Sequence, residues 1–214
     1  MSAGPVPSSD GIAAVLFDFG GVLSDSPFEA FERYELAHGM PAGFIRSVNA
    51  TNHLDNAWAR LERNELDFDA FCDAFERETA DAGNAVDARE LFASLTGALR
   101  SEMVEAVRRC RDRYKTGLLT NNFVTPLADR EVAEVLELFD VIVESTVVGI
   151  RKPDTRFYEL ACERLDVTPP QAVFLDDLGV NLKPARALGM TTIKVTDTDA
   201  ALSELEAVLG VTLR

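Results

Sequence analysis

Four apolar residues that run straight into an aspartate and a glycine pair constrain this chain most: Ala14-Val15-Leu16-Phe17-Asp18-Phe19-Gly20-Gly21-Val22-Leu23. A short continuous apolar run reads as a strand buried on both faces, as in a parallel sheet. The glycines permit a sharp turn and a close approach of backbone to ligand. Asp18 then stands at the carboxyl end of a central strand, where open α/β sheets bind their ligands. Taken alone, the same aspartate reads equally well as the cap of a following helix. The rest of the chain has to decide.

A length of 214 residues suits one large domain, or a core with an insert. The composition, 47% hydrophobic and 27% charged, is that of an ordinary globular protein. No apolar run approaches the ~18 residues of a membrane span. Residues 1–11 lack the basic and apolar regions of a secretory signal and read as a disordered lead-in. Cys72, Cys110 and Cys162 are far apart and odd in number, which suggests reduced core thiols in a cytoplasmic protein. A net charge of -15 repels phosphate backbones and anionic lipid. Nucleic acid and membrane surfaces are therefore not expected partners, and an anionic substrate would need a locally positive site.

Ser26-Pro27-Phe28-Glu29 reads as a helix start with a capping serine and a capping box, and Gly39 as its stop. Further helices are expected over 42–48, 56–61 and, after the cap Asp67, along Phe68, Phe71, Cys72 and Phe75. Asp87 caps another. Residues 26–96 thus form a run of helices, which reads as an insert. From Ser101 the rhythm becomes helix, strand, helix, strand, with strands at 116–120, 141–143, 172–175 and 191–195. Helices are expected between them, over 127–138, 155–165 and up to Gly189, and a last one over 200–209. Alternation of this kind gives a doubly wound, Rossmann-like α/β parallel sheet. The expected division is a core of residues 12–24 and 97–214 with an all-helical cap of residues 25–96.

Each core strand ends in polar residues: Asp18, then Thr120-Asn121-Asn122, then Arg151-Lys152-Pro153-Asp154 beyond the third, then Asp176-Asp177. Singly these are caps and surface charges. In a parallel sheet they open onto one crevice, and an aspartate, a hydroxyl, a lysine and an acidic pair converge.

These four stretches, with Phe174-Leu-Asp-Asp-Leu-Gly-Val-Asn181, resemble in order and spacing the four motifs of the haloacid dehalogenase superfamily. The run 176–190 is similar to the phosphatase domain of soluble epoxide hydrolases, and the glycine-containing first motif to the domain fused ahead of some acyl-CoA dehydrogenases. The resemblance implies a phosphatase in which Asp18 is the nucleophile and forms an aspartyl-phosphate. It implies Mg²⁺ as cofactor, held by the Asp18 carboxylate, the Gly20 carbonyl and Asp177, with Asp176 close behind. Thr120 and the Asn121 backbone N–H would hold phosphate oxygens. Lys152 would neutralise the pentavalent species and keep Asp18 anionic. The expected partner is a small phosphorylated substrate, on a monomer or a homodimer.

One position departs from the pattern. The superfamily's acid/base aspartate stands two residues after the nucleophile, and here Gly20 stands there. General acid catalysis contributes ~10²–10⁴-fold, or roughly 3–5 kcal/mol. Asp55, Glu62, Glu65, Asp67 and His53 are candidate substitutes from the cap. A degenerate domain that binds a phosphorylated ligand or a protein is the main alternative. A metal-free dehalogenase fits the Asp176-Asp177 pair less well. A Schiff-base route is closed, because no cap residue is a lysine: the lysines are Lys115, Lys152, Lys183 and Lys194. Trp58 reads as cap core, and Asn181 as an orienting residue of the acidic loop.

Overall fold

A computed structural model describes residues 11–95, 97–121 and 130–214. The expected lead-in therefore falls almost wholly outside the described residues, as do Asn122 and the first residues of the helix expected from 127. Five strands, β1 (Ala14–Phe17), β2 (Lys115–Thr120), β3 (Val141–Glu144), β4 (Ala172–Asp176) and β5 (Thr191–Lys194), form one sheet in the order β3-β2-β1-β4-β5. Every pairing is parallel, so all strand ends point one way. β1 is central and every residue of it is fully buried.

Its side chains alternate between two apolar layers, as the period of a strand requires. Val15 and Phe17 join Met103, Val107, Leu202 and Leu205, from α6 (Ser101–Arg111) and α11 (Thr198–Leu209). Ala14 and Leu16 join Phe157, Ala161, Leu182 and Ala185 of α9 (Thr155–Leu165) and α10 (Gly179–Ala187). Helices on both faces explain why β1, and β4 up to Leu175, are apolar rather than alternating. A short helix, α7 (Arg130–Leu136), lies between β2 and β3, and a four-residue turn of helix, α8 (Ser145–Val148), follows β3.

Between β1 and β2 come α1 (Pro27–Ala37), α2 (Phe44–Ala50), α3 (Ala57–Glu62), α4 (Phe68–Asp81) and α5 (Ala88–Ala93). They enclose a third apolar cluster of their own, including Phe31, Ile45, Trp58, Phe71, Phe75 and Leu91. Trp58 sits at its middle, with ring centroids 5.0 Å from Phe71 and 5.3 Å from Phe92. This is the core role expected of it. The chain enters and leaves this helical segment at adjacent points: Ser24 bridges Leu99 antiparallel, and Asp25 N–H donates to the Ala98 carbonyl at 3.1 Å. Asp67 and Asp87 cap α4 and α5 as expected, accepting from Ala70 and Glu90 N–H.

The start of α1 differs from its expected form. Ser26 occupies the cap position, but its side chain makes no cap bond. Its hydroxyl donates instead to Oδ2 of Asp177 at 3.4 Å. As a cap the Ser26 oxygen would accept from a helix N–H; toward Asp177 the hydroxyl donates instead, to a partly buried carboxylate. Among the described residues no helix is long and apolar enough to cross a membrane.

Candidate active site

All four polar strand ends lie at the carboxyl edge of the sheet, and three of them meet directly. Lys152 Nζ lies 2.8 Å from Oδ2 of Asp18 and 2.8 Å from Oδ2 of Asp176. The carboxylates of Asp18, Asp176 and Asp177 offer oxygens that all fall within 4.8 Å of one another. Adjacent positions in the register account for this: Phe17 pairs with Leu175, so the next residue on each strand, Asp18 and Asp176, emerges side by side.

Asp176 is fully buried and its oxygens are occupied by protein donors. Oδ1 accepts from Leu178 N–H at 2.8 Å, and Asn181 Nδ2 lies 3.1 Å from both oxygens. Asn181 thus orients the acidic loop, as expected. Asp18 is less enclosed: Oδ1 accepts from Phe19 N–H at 2.7 Å, and Oδ2 faces Lys152. Asp177 is only partly buried, and its side-chain partner among the described residues is the Ser26 hydroxyl. Asp18 and Asp177 are therefore the carboxylates with the freest coordination capacity, and Asp176 the one that holds lysine and loop in place.

The charges are strained. Burial pushes the Asp18 carboxyl well above its ordinary value, with Lys152 opposing and the neighbouring aspartates reinforcing. Burial, then the charge of Asp176, lifts Asp177 to about 6. For Lys152, burial disfavours the ammonium, but Asp176 and Asp18 outweigh it and hold the pKa above the usual lysine value. Three carboxylates face one ammonium. A hard divalent cation with oxygen ligands matches this donor set and would relieve the excess negative charge.

Thr120 ends β2 and is buried, beside the Asn121 position. The Asn121 side chain turns to the lysine loop: Oδ1 accepts from Lys152 N–H at 2.8 Å and Nδ2 donates to the Lys152 carbonyl at 3.0 Å. Asn121 thus clamps Lys152, a role that sequence reasoning misses. Only the pairing of an amide with a distant backbone would announce it.

Two glycines behave differently. Gly21 has φ +77°, and a Cβ there would lie 2.4 Å from Asp177 Oδ2. At Gly20 the backbone is not left-handed, and a Cβ would meet only Pro27 Cδ at 3.5 Å, an ordinary contact. Gly21 is required by the fold. Gly20 is not.

Of the five candidates to replace the acid, two are exposed and two are engaged elsewhere. His53 and Asp55 are exposed, and Asp67 caps α4. Glu65 pairs with Arg63 at 2.6 Å, which holds its carboxyl below the usual range. Glu62 alone turns inward. Its carboxylate lies 2.5 Å from Arg151 Nε, and burial raises its pKa against the pull of Arg151. The three cysteines are all buried and free, as core thiols.

A mouse protein, acyl-CoA dehydrogenase family member 10, is 36% identical over 203 residues, covering 92% of this chain. The pig bifunctional epoxide hydrolase 2 is 33% identical over 219 residues, covering 94% of this chain. The chain spans 19% of the length of the first and 40% of the second. A phosphatase from Mycobacterium tuberculosis is 29% identical over 197 residues, covering 84% of this chain and 85% of the relative. Among solved structures, a HAD-like hydrolase from Porphyromonas gingivalis superposes with a TM-score of 0.66 at 18% identity, covering 93% of this chain and 98% of that one. A HAD-family enzyme from Bacteroides thetaiotaomicron, in complex with magnesium and inorganic phosphate, gives 0.59 at 21% identity, covering 86% of this chain and 94% of that one. Residues 12–189, which carry every one of the converging strand ends, match the family model described as haloacid dehalogenase-like hydrolase, and the chain belongs to that family.

Proposed function

We propose that the protein is a Mg²⁺-dependent phosphatase that acts on a small phosphorylated substrate through an aspartyl-phosphate on Asp18. The observation that carries this reading is the placement of Lys152 between Asp18 and Asp176, with Asp177 completing a three-carboxylate cluster at the sheet's open edge. Phosphatase relatives, and a fold neighbour bound to magnesium and phosphate, support it.

The Asp18 carboxylate attacks phosphorus, the phosphorus–oxygen bond to the leaving group breaks, and water then hydrolyses the acyl phosphate and restores the carboxylate. Lys152, Thr120 and the Asn121 N–H bind the phosphoryl oxygens, and Lys152 offsets the charge that grows on them. Asp176 and Asn181 orient the loop, and Asn121 orients the lysine. Asp18, Asp177 and the Gly20 carbonyl would hold the metal, with Asp176 beside them. Bound Mg²⁺ supplies the positive charge that lets an anionic nucleophile approach an anionic phosphate. Residues 25–96 form a helical cap over a core of residues 12–24 and 97–214.

Gly20 leaves the leaving group without a resident acid, and this favours a second reading, a binding domain for a phosphorylated ligand. Turnover decides between them. A panel of phosphate esters assayed with Mg²⁺ and with EDTA should show hydrolysis only with the metal. Asp18→Asn should keep less than ~1% of it, as loss of a nucleophile typically does. Full turnover by Asp18→Asn sinks the assignment of the nucleophile, and no turnover by the parent protein favours the binding reading.

A further inference from the structure

Outside the acidic cluster, one inward-facing carboxylate meets the loop that carries Lys152. Glu62, the last residue of α3, pairs with Arg151 at 2.5 Å, and the two side chains are only 13% and 19% exposed. Arg151 Nη1 also donates to the His53 carbonyl at 2.9 Å. One residue on, Lys152 turns the other way, into Asp18 and Asp176. A cavity of about 340 Å³ opens beside the pair, with Leu54 and Arg63 from the helical segment on one wall and Ile150 and Arg151 on the other.

The loop is therefore anchored twice, in different ways. Asn121 ties the backbone of Lys152 to the end of β2, within the sheet layer. Glu62 and His53 tie Arg151 to the helical segment, and only while that segment is seated on the sheet. The guanidinium is held at two points of the helical segment: Nη1 donates to a carbonyl, and Nε stands in close ionic contact with a carboxylate that has no other partner among the described residues. A pair mostly out of water is also weakly screened. Lys152 follows one residue later in the same loop, so a shift of Arg151 moves the backbone from which the lysine side chain extends.

We propose that Glu62 is a positioning residue for Lys152: its ion pair with Arg151 links the seating of the helical segment to the placement of the Lys152 ammonium on Asp18. The inference rests on the reading of Lys152 as the phosphoryl-binding cation. A carboxylate 2.5 Å from a guanidinium nitrogen is held as that cation's partner, so Glu62 acts through Arg151 and not as the missing acid.

The test compares the parent protein, Glu62→Gln, Arg151→Gln and the double variant on para-nitrophenyl phosphate with Mg²⁺. Hydrogen exchange of the peptide covering 149–155 is followed in parallel. Glutamine keeps the volume of Glu62, and melting curves report whether each variant is folded. Each single variant should lower kcat by ~10-fold or more, because displacements of about an ångström in a catalytic group have effects of that size. KM should move less than kcat. The double variant should be no slower than the slower single, since both substitutions remove one contact. Exchange within 149–155 should quicken in each variant while β1 and β4 keep parental rates. Independent, multiplying losses overturn the proposal. So does a Glu62→Gln protein with a lower melting temperature but parental kcat and parental exchange at 149–155. If the parent hydrolyses nothing, the phosphatase reading has failed, and the exchange measurement alone judges the Glu62–Arg151 link.

Discussion

Gly21 and Asp177 are in contact through the space where a side chain would be. A Cβ on Gly21 would lie 2.4 Å from Oδ2 and 2.6 Å from Cγ of Asp177, and the φ of Gly21 is +77°. Two independent requirements therefore fall on one residue. Gly21→Ala carries a left-handed backbone penalty of about 1–2 kcal/mol, and it also displaces the Asp177 carboxylate. Arg100, which donates to the Gly21 carbonyl at 2.9 Å, resists a compensating backbone shift. The expected outcome is a lower melting temperature and a weakened Mg²⁺ response, read as the concentration of metal at half-maximal stabilisation. A variant that is destabilised yet keeps the parental Mg²⁺ response would show that Asp177 is not held against the turn for the metal.

The acidic cluster predicts a specific pH dependence. Asp177 is raised to about 6 from an ordinary 3.8, chiefly by burial and then by Asp176. The folded protein thus binds this proton more tightly than the unfolded chain does. Between those two values the metal-free protein loses stability as pH rises, by up to roughly 3 kcal/mol above pH 6 from this group alone. Mg²⁺ held by Asp177 would favour the anion and reverse the sign. The stabilisation by millimolar Mg²⁺, measured as a melting-temperature increment against EDTA, should be small at pH 5 and grow through pH 6 to a plateau. An increment independent of pH over that range would remove Asp177 from the metal's ligands.

Much of this site is legible in the residues alone. The apolar run of β1 ends at Asp18 because a strand covered on both faces has no polar position until it leaves the sheet. The same logic places Thr120 and Asp176. Which polar groups bind one another is not legible in this way. Ser26 has every mark of a helix cap, yet its hydroxyl goes to Asp177, a residue most of the chain away. Asn121 reads as a phosphate ligand through its backbone, while its side chain clamps Lys152. Glu62 is one of five equivalent acidic or basic candidates until burial and Arg151 set it apart. Ion pairs and side-chain amides leave no period in a sequence. Apolar faces and caps do.

Among the described residues, Lys152 carries the one ammonium that faces the three carboxylates of the cluster. It is 1% exposed and bridges Asp18 and Asp176 at 2.8 Å each. Lys152→Met keeps most of the volume but leaves three carboxylates without their ammonium. Removing one partner of a buried ion pair typically costs about 3–5 kcal/mol, and urea unfolding in EDTA should show a loss of that order. With Mg²⁺ present the loss should shrink, because the metal answers the same repulsion. Equal losses in both conditions would mean that no cation enters the cluster, whatever the activity.

Gly20 supplies the sharpest prediction about chemistry. On the phosphatase reading, with no carboxylic acid two residues after Asp18, the departing oxygen would leave as an anion or take its proton from water. Rates should then rise steeply as the leaving group becomes more acidic: aryl and acyl phosphates react, and alkyl phosphates lag far behind. The structure removes the main obstacle to repair. Gly20 is not in the left-handed region, and a Cβ there meets only Pro27 Cδ at 3.5 Å, so an aspartate enters without backbone strain. Gly20→Asp should speed the poor leaving groups by up to ~10²-fold, the low end of general acid catalysis, and leave aryl phosphates nearly unchanged. The added anion works against this gain by tightening the demand for Mg²⁺, so the comparison is made at saturating metal. The measurement is the slope of log(kcat/KM) against leaving-group pKa in both proteins. A flatter slope in Gly20→Asp supports the reading. Equal and shallow slopes would show that another group already delivers the proton to the leaving oxygen.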